Sequence, residues 1–245
     1  MTKREPIKDL LDVHMHTIAS GHAYSTIREM ATACKKRGMK LCGIADHGPK
    51  MNGAPKDIYF CNFKMIPRDA EHGYGIDIVF GAEMNILDYE GSVDLVGHYA
   101  SRLDYAVASL HDACLRPGSI EQNTRALINA MRHPKVKIIG HPDNPVYPVD
   151  FVKLAQAAKE NGVLLELNNA SYTTTSWRVG SIETSQKMLD AAKAVGAMVV
   201  MNSDAHSEFF AGEHAGAQEM IRRNDFPGEL VINSSPEAFK AWIAR

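Results

Sequence analysis

Tyr105-Ala106-Val107-Ala108-Ser109-Leu110-His111 is a near-continuous apolar run that stops on a histidine. A helical pattern follows at 119–132, and the unit then returns. Val136-Lys137-Ile138-Ile139 ends at Gly140-His141-Pro142 ahead of a helix over 150–160. A third run at 163–167 ends at Asn168-Asn169 before a helix at 182–195. A fourth, at 197–201, ends at Asn202-Ser203-Asp204-Ala205-His206 before a helix at 212–223. Apolar strands alternating with helices of about 10–15 residues predict parallel βαβ units with both sheet faces covered.

Towards the N-terminus the rhythm continues with more elaboration. A strand at 9–17 contains Asp12-Val13-His14-Met15-His16, and Thr26 with Glu29 forms a capping box for a helix at 26–36, which Gly38 stops. The strand at 41–45 ends at Asp46-His47-Gly48, and that at 76–80 runs into Gly81-Ala82-Glu83. Between them, 49–74 reads as a loop with one helical stretch at 57–65, punctuated by Pro55, Pro67 and Gly73. A hairpin around Tyr89-Glu90-Gly91 and a short helix at 94–101 complete this half. A short strand at 230–232 and a helix from Pro236 follow the last unit. Seven strands without a compositional break predict an α/β fold, a single TIM-like barrel domain over 1–245.

Composition narrows the function classes. A formal net charge of -2 argues against a polyanion-binding surface, so no nucleic-acid partner is expected. Cys34, Cys42, Cys61 and Cys114 form no C-x-x-C pair and read as reduced thiols. Met1-Thr2-Lys3-Arg4-Glu5-Pro6 lacks the apolar core of a signal peptide, and no apolar run approaches a membrane span. A soluble, cytoplasmic protein is expected. The unusual count is 11 histidines.

Six of the seven strand ends carry a metal-ligand type: His14 and His16, His47, Glu83, His111, His141, and Asp204 with His206. Any one of these histidines alone is as readily an ordinary core or surface residue. In parallel barrels, however, the carboxyl ends of the strands share one face, where active sites are built. Recurrence at one topological position therefore points to a polynuclear metal site. Histidine and carboxylate without thiolate suit zinc, manganese or iron. The donors outnumber what one tetrahedral ion can use, implying two or three ions, with Glu83 and Asp204 as bridging carboxylates. Such ions would acidify a shared water and clamp a phosphoryl or carboxyl oxygen. His72, His98, His133 and His214 fall away from strand ends and read as solvated. Asp46 either orients His47 or pairs elsewhere.

Asp12-Val13-His14-Met15-His16 with His22, Ala45-Asp46-His47-Gly48, Gly81-Ala82-Glu83, His111, Gly140-His141-Pro142 and Ser203-Asp204-Ala205-His206 together resemble the PHP (polymerase and histidinol phosphatase) family of metal-dependent phosphoesterases. The order looks most similar to the short bacterial YcdX-type phosphatases, and the resemblance runs from about Leu11 to the C-terminus. Leu165-Glu166-Leu167-Asn168-Asn169 and Asp225-Phe226-Pro227 add to it. It implies a distorted (βα)7 barrel with three divalent ions, usually zinc, with manganese or iron as alternatives. By carry-over, His14, His16, Glu83 and Asp204 hold the first ion, and His22, His47 and His206 the second. Glu83, His111 and His141 hold the third. Asp112-Ala113 and Met201-Asn202 depart from the pattern where the pocket wall is expected, which bears on substrate preference.

The expected activity is hydrolysis of a small phosphate monoester by a metal-bound hydroxide. Glu83 and Asp204 have catalytic roles, and Arg178, in the loop after strand six, meets the substrate phosphate through its planar guanidinium. A solvated loop arginine is the alternative for Arg178. Two rivals stand beside this reading. An amidohydrolase also opens on H-x-H but expects eight strands and a metal-bridging lysine. A binding module would keep its metals without turnover.

Overall fold

The computed structural model describes residues 7–174 and 176–245. The N-terminal hexapeptide considered above for a leader, and Thr175 of the loop after strand six, lie outside the described residues. No helix among the described residues is long and apolar enough to cross a membrane.

Two parallel sheets carry the chain. β1 (Leu11–Asp12), β2 (Leu41–Ile44) and β3 (Asp77–Phe80) form one. β4 (Glu83–Asn85), β5 (Ala106–Ser109), β6 (Val136–Ile139), β7 (Leu164–Asn168) and β8 (Val199–Asn202) form the other, each pairing with the next. Only Gly81 and Ala82 separate β3 from β4, and pairing passes straight through them. Gly81 N donates to Ile44 O at 2.8 Å, Glu83 N to Asp46 O at 3.0 Å, and Val107 N to Ala82 O at 3.0 Å. β3 and β4 are therefore halves of one kinked strand, and the ring counts seven.

The ring closes in two different ways. On the carboxyl side, Asp204 N donates to His14 O and His16 N to Ala205 O, both at 2.9 Å. Deeper in, the side chain of Asn233 stands in for a strand backbone. Its Nδ2 donates to Leu11 O at 3.1 Å and Met201 O at 2.8 Å, while its Oδ1 accepts from Met201 N at 2.8 Å. Two departures from the expected elements accompany this closure. The first strand shrinks to two residues, and beyond it Met15 only bridges Ala205 on the β8 side while its carbonyl still accepts from Ala45 N on the β2 side. The strand expected at 230–232 is instead two 3-10 turns, Gly228–Leu230 and Ile232–Ser234, with Val231 making a lone bridge to Val199.

The alternation of side chains along each strand divides the core. Leu165, Leu167, Val199 and Met201 face outward and pack with the helices. Those are α1 (Ile27–Lys36), α2 (Ile58–Cys61), α3 (Gly97–Ser101), α4 (Ile120–Ala130), α5 (Phe151–Asn161), α6 (Ser181–Val195), α7 (Ala215–Arg223) and α8 (Pro236–Ile243). The expected Thr26–Glu29 capping box starts α1, and Ser119 with Gln122 forms another on α4. Leu41, Val79, Val107, Ile138, Leu164 and Val200 face inward around Tyr105 and Phe239. Tyr105 fits because Gly43 and Gly81 have no side chain. A Cβ on either would come within 2.7 Å of the tyrosine. The Phe239 ring meets Tyr105 edge-on at 5.7 Å, so α8 plugs the floor. Above this apolar layer the inward positions turn polar.

Candidate metal centre

At the carboxyl ends of the strands the inward positions become histidine and carboxylate. Glu83, at the kink between β3 and β4, is the hub and is buried. His141 Nε2 stands 3.0 Å and His111 Nε2 3.2 Å from its Oε1, and His47 Nδ1 stands 2.7 Å from its Oε2. Asp204 Oδ1 lies 3.1 Å from His16 Nε2 and 3.7 Å from His206 Nδ1. His14 Nε2 is 3.2 Å from His16 Nε2, and His22 Nε2 is 3.2 Å from His47 Nε2. All nine residues singled out in the sequence as ligands thus gather in one cluster of side chains.

Most of these imidazoles are held from behind. His14 Nδ1 meets Glu166 Oε1 at 2.7 Å, His16 Nδ1 the Ser20 hydroxyl at 3.1 Å, and His111 Nδ1 the Asn85 Oδ1 at 2.7 Å. His206 Nδ1 meets the carbonyl of Asp204 at 2.9 Å. With Nδ1 as donor, each ring presents its Nε2 lone pair inward. The supporting partners are themselves fixed. Asn85 gives its amide hydrogens to Gly48 O and Asp94, so its oxygen faces His111. The Asp46 carboxylate does not reach for His47. It accepts from Thr17 N, Thr17 Oγ, Ser20 Oγ and Tyr59 OH, and so steadies His16 through Ser20.

The charge balance is unusual for a buried site. Burial opposes ionisation of Glu83, but the imidazoles of His111, His14 and His47 outweigh it and hold the carboxyl well below its usual range. Asp204 behaves alike: burial opposes, and His14, His16 and Arg178 prevail. Burial, then Arg178, depresses His141 to about 4, leaving it a neutral lone-pair donor. Burial, then His47 and His206, drives His16 well below the ordinary imidazole value. Burial also works against a proton on His14, yet Glu166, Glu83 and Asp204 pull it well above. Neutral His16 and His141 and two ionised carboxylates converge here, with a proton on His14 as the counter-charge that a divalent ion would replace.

A divalent ion resolves that arrangement, and the atoms fit it. His47 Nδ1 and Glu83 Oε2 are buried without a hydrogen-bond partner despite their proximity. Three donor groups lie within 4.8 Å internally: His16, His47 and His206; His14, His16 and Asp204; and His47, Glu83 and His111. Two residues of the cluster also carry left-handed backbone, Asp204 at φ 54° and His141 at φ 29°. Such conformations persist where surrounding structure imposes them, often at functional sites.

Arg178 is buried rather than solvated. Its Nη2 meets Asp204 Oδ2 at 3.0 Å and its Nη1 meets Asn168 Oδ1 at 3.1 Å, while Nε has no hydrogen-bond partner. Among the histidines expected in solvent, His72 and His98 are exposed and His133 is half-buried. His214 is a correction. It is buried, its Nδ1 2.8 Å from Asp9 and its Nε2 3.4 Å from Asp12, because the start of α7 packs against β1. Glu166, Asn85 and Asn168 were not singled out as site residues. One signal was available: Glu166 is a lone carboxylate at an inward position of an otherwise apolar strand.

Comparison with known proteins agrees with this geometry. The PHP domain matches residues 12–170. The chain is 43% identical over 239 residues to a "Probable phosphatase" of Acetivibrio thermocellus, covering 98% of this chain and 97% of that one. A "Probable phosphatase" of Caldanaerobacter subterraneus is 43% identical over 244 residues, covering 99% and 94%. Among solved structures, the histidinol phosphate phosphatase of Lactococcus lactis, complexed with zinc, L-histidinol and phosphate, superposes with a TM-score of 0.58 at 16% identity. That match covers 89% of this chain and 95% of that one, and it is a likeness of fold.

Proposed function

The chain belongs to the PHP-domain family of metal-dependent phosphoesterases, and from that premise we propose that it is a YcdX-type phosphatase of small phosphate monoesters. The whole chain would be one barrel domain working in the cytoplasm, a setting that suits its four free thiols. The carrying observation is the convergence of buried imidazole lone pairs on Glu83 and Asp204, with His47 Nδ1 and Glu83 Oε2 unpartnered at its heart.

We assign His14, His16, Glu83 and Asp204 to a first ion, His22, His47 and His206 to a second, and Glu83, His111 and His141 to a third, all three zinc. The closeness of His14, His16 and Asp204 supports the first set, that of His47 and His206 the second, and that of Glu83 and His111 the third. When bound, such ions acidify water towards neutral pH and offset phosphoryl charge. The side chains contribute the rest. Glu83, with two oxygens and imidazoles on both, spans neighbouring positions. Glu166, Ser20 and Asn85 keep the imidazole protons on Nδ1, so no ring must reorient before binding. Arg178, clamped on Asp204 and Asn168, brings a guanidinium to the rim of the cluster, where it meets a phosphate oxygen.

The test is hydrolysis of p-nitrophenyl phosphate by zinc-loaded and chelator-stripped protein, beside an amide and a lactone. Turnover of the phosphate ester alone, lost on stripping and restored by zinc, supports the reading. Turnover of the amide or lactone instead would move the chain to the amidohydrolase class. Full metallation without turnover of any phosphate ester in a broad panel would make it a metal-binding module.

A further inference from the structure

We propose that Glu166 is a positioning residue that makes the ion at His14 the slowest to leave, while the ion nearest the pocket mouth exchanges readily. The inference rests on the metal-centre reading above.

Glu166 sits in the middle of β7 and is fully buried. Its Oε1 accepts from His14 Nδ1 and from Asn202 Nδ2, both at 2.7 Å. Its Oε2 accepts from His141 N at 2.8 Å and Asn168 Nδ2 at 3.0 Å. A carboxylate offers about four lone-pair sites. All are taken, so Glu166 has no oxygen to give an ion, although it lies one residue from the cluster. Its role is indirect. It pins the His14 proton on Nδ1 and turns Nε2 towards His16 Nε2 at 3.2 Å and Glu83 Oε1 at 3.4 Å. A carboxylate behind an imidazole also strengthens that ring as a donor.

Among the described residues no other ligand has its Nδ1 hydrogen-bonded to a carboxylate outside the cluster, and the carboxylate beside His47 Nδ1 is Glu83, itself one of the ligands. The Nδ1 partners of His16, His111 and His206 are a hydroxyl, an amide oxygen and a backbone carbonyl, all neutral. Exposure runs the same way. His14 is closed to solvent, whereas the His206 side chain is 32% exposed and His22 is exposed. Donor strength and solvent access therefore grade the centre in one direction, from the floor at His14 to the mouth at His22 and His206.

The experiment follows zinc release from the loaded full-length protein into an excess of a chromogenic chelator. Wild type should release zinc in resolved phases, the slowest at least about 10-fold slower than the fastest. Glu166→Gln keeps the size but puts an amide where two donors point, and should accelerate the slow phase about 10–100-fold while leaving the fast phase in place. His22→Ala should remove the fast phase and spare the slow one. An unchanged slow phase in a folded Glu166→Gln protein overturns the proposal. So does a single release phase in wild type, whether or not the variant folds. In both cases the bound zinc leaves the metal-centre reading standing. A chain that takes up no zinc overturns that reading as well.

Discussion

His47 Nδ1 and Glu83 Oε2 stand 2.7 Å apart in the interior, and neither makes a hydrogen bond. An orphaned pair of this kind costs about 1–3 kcal/mol per group. The fold accepts that cost at the point where β3 and β4 kink, with three imidazoles around the same carboxylate. Glu83 is therefore the residue on which the proposed metal centre is expected to depend most.

Glu83→Gln keeps the shape and removes the charge. It should lower phosphatase activity by more than about 100-fold, beyond what loss of a supporting outer partner brings, and reduce bound zinc. Elemental analysis of the purified variant, paired with its turnover of p-nitrophenyl phosphate, checks both. Full zinc content with normal turnover would remove Glu83 from the hub.

Arg178→Ala separates two roles. As a phosphate contact, its loss should raise KM about 10–100-fold at unchanged zinc content, the worth of a charged hydrogen bond. Arg178→Lys should not restore it, since an ammonium cannot hold Asp204, Asn168 and a phosphate in one plane. If Arg178 only clamps Asp204, zinc content falls and KM for the metallated fraction stays.

His214 gives a pH signature of stability away from the ligands. Burial works against its proton, but Asp12 and Asp9 prevail and raise it from the ordinary 6.5 to about 10. Between these values the folded chain holds a proton that the unfolded chain has released. The contribution is complete below about pH 6.5 and is lost as pH rises through about 10, at up to about 1.4 kcal/mol per pH unit. Urea midpoints across this range should fall for wild type and fall less for His214→Gln. Parallel profiles would contradict the assignment.

Asn233 closes the barrel with a side chain where a strand would otherwise pair. Asn233→Ala leaves two carbonyls and one amide unpaired and should cost about 3 kcal/mol. Asn233→Asp, which turns an oxygen on those carbonyls, should cost more. Equilibrium denaturation measures both, and an unchanged midpoint in either would contradict the closure.

These residues also mark how far the sequence could be read. His111, His141 and the Asp204–His206 pair were legible because each follows a short apolar run that alternates with helical segments, as buried parallel strands do. Position along the strand then decides which face of the barrel they reach. His214 was not legible, because its partner Asp9 is 205 residues away and only the docking of α7 on β1 joins them. Asn233 was hidden for the same reason, since a side chain replacing a strand has no periodicity. Glu166 showed a local anomaly, a charge in an apolar strand, but its four donors come from four different segments. The segment at 49–74 read as a loop with one helix, and Tyr59 from that helix reaches Asp46. No pattern in the sequence announces that contact.

The most direct measurement is the rate of phosphate-ester hydrolysis as zinc is returned, equivalent by equivalent, to the stripped protein. The account predicts that activity keeps rising beyond the first equivalent and saturates at the third, with amide and lactone untouched. A protein that binds three zinc ions and hydrolyses no phosphate ester would contradict it.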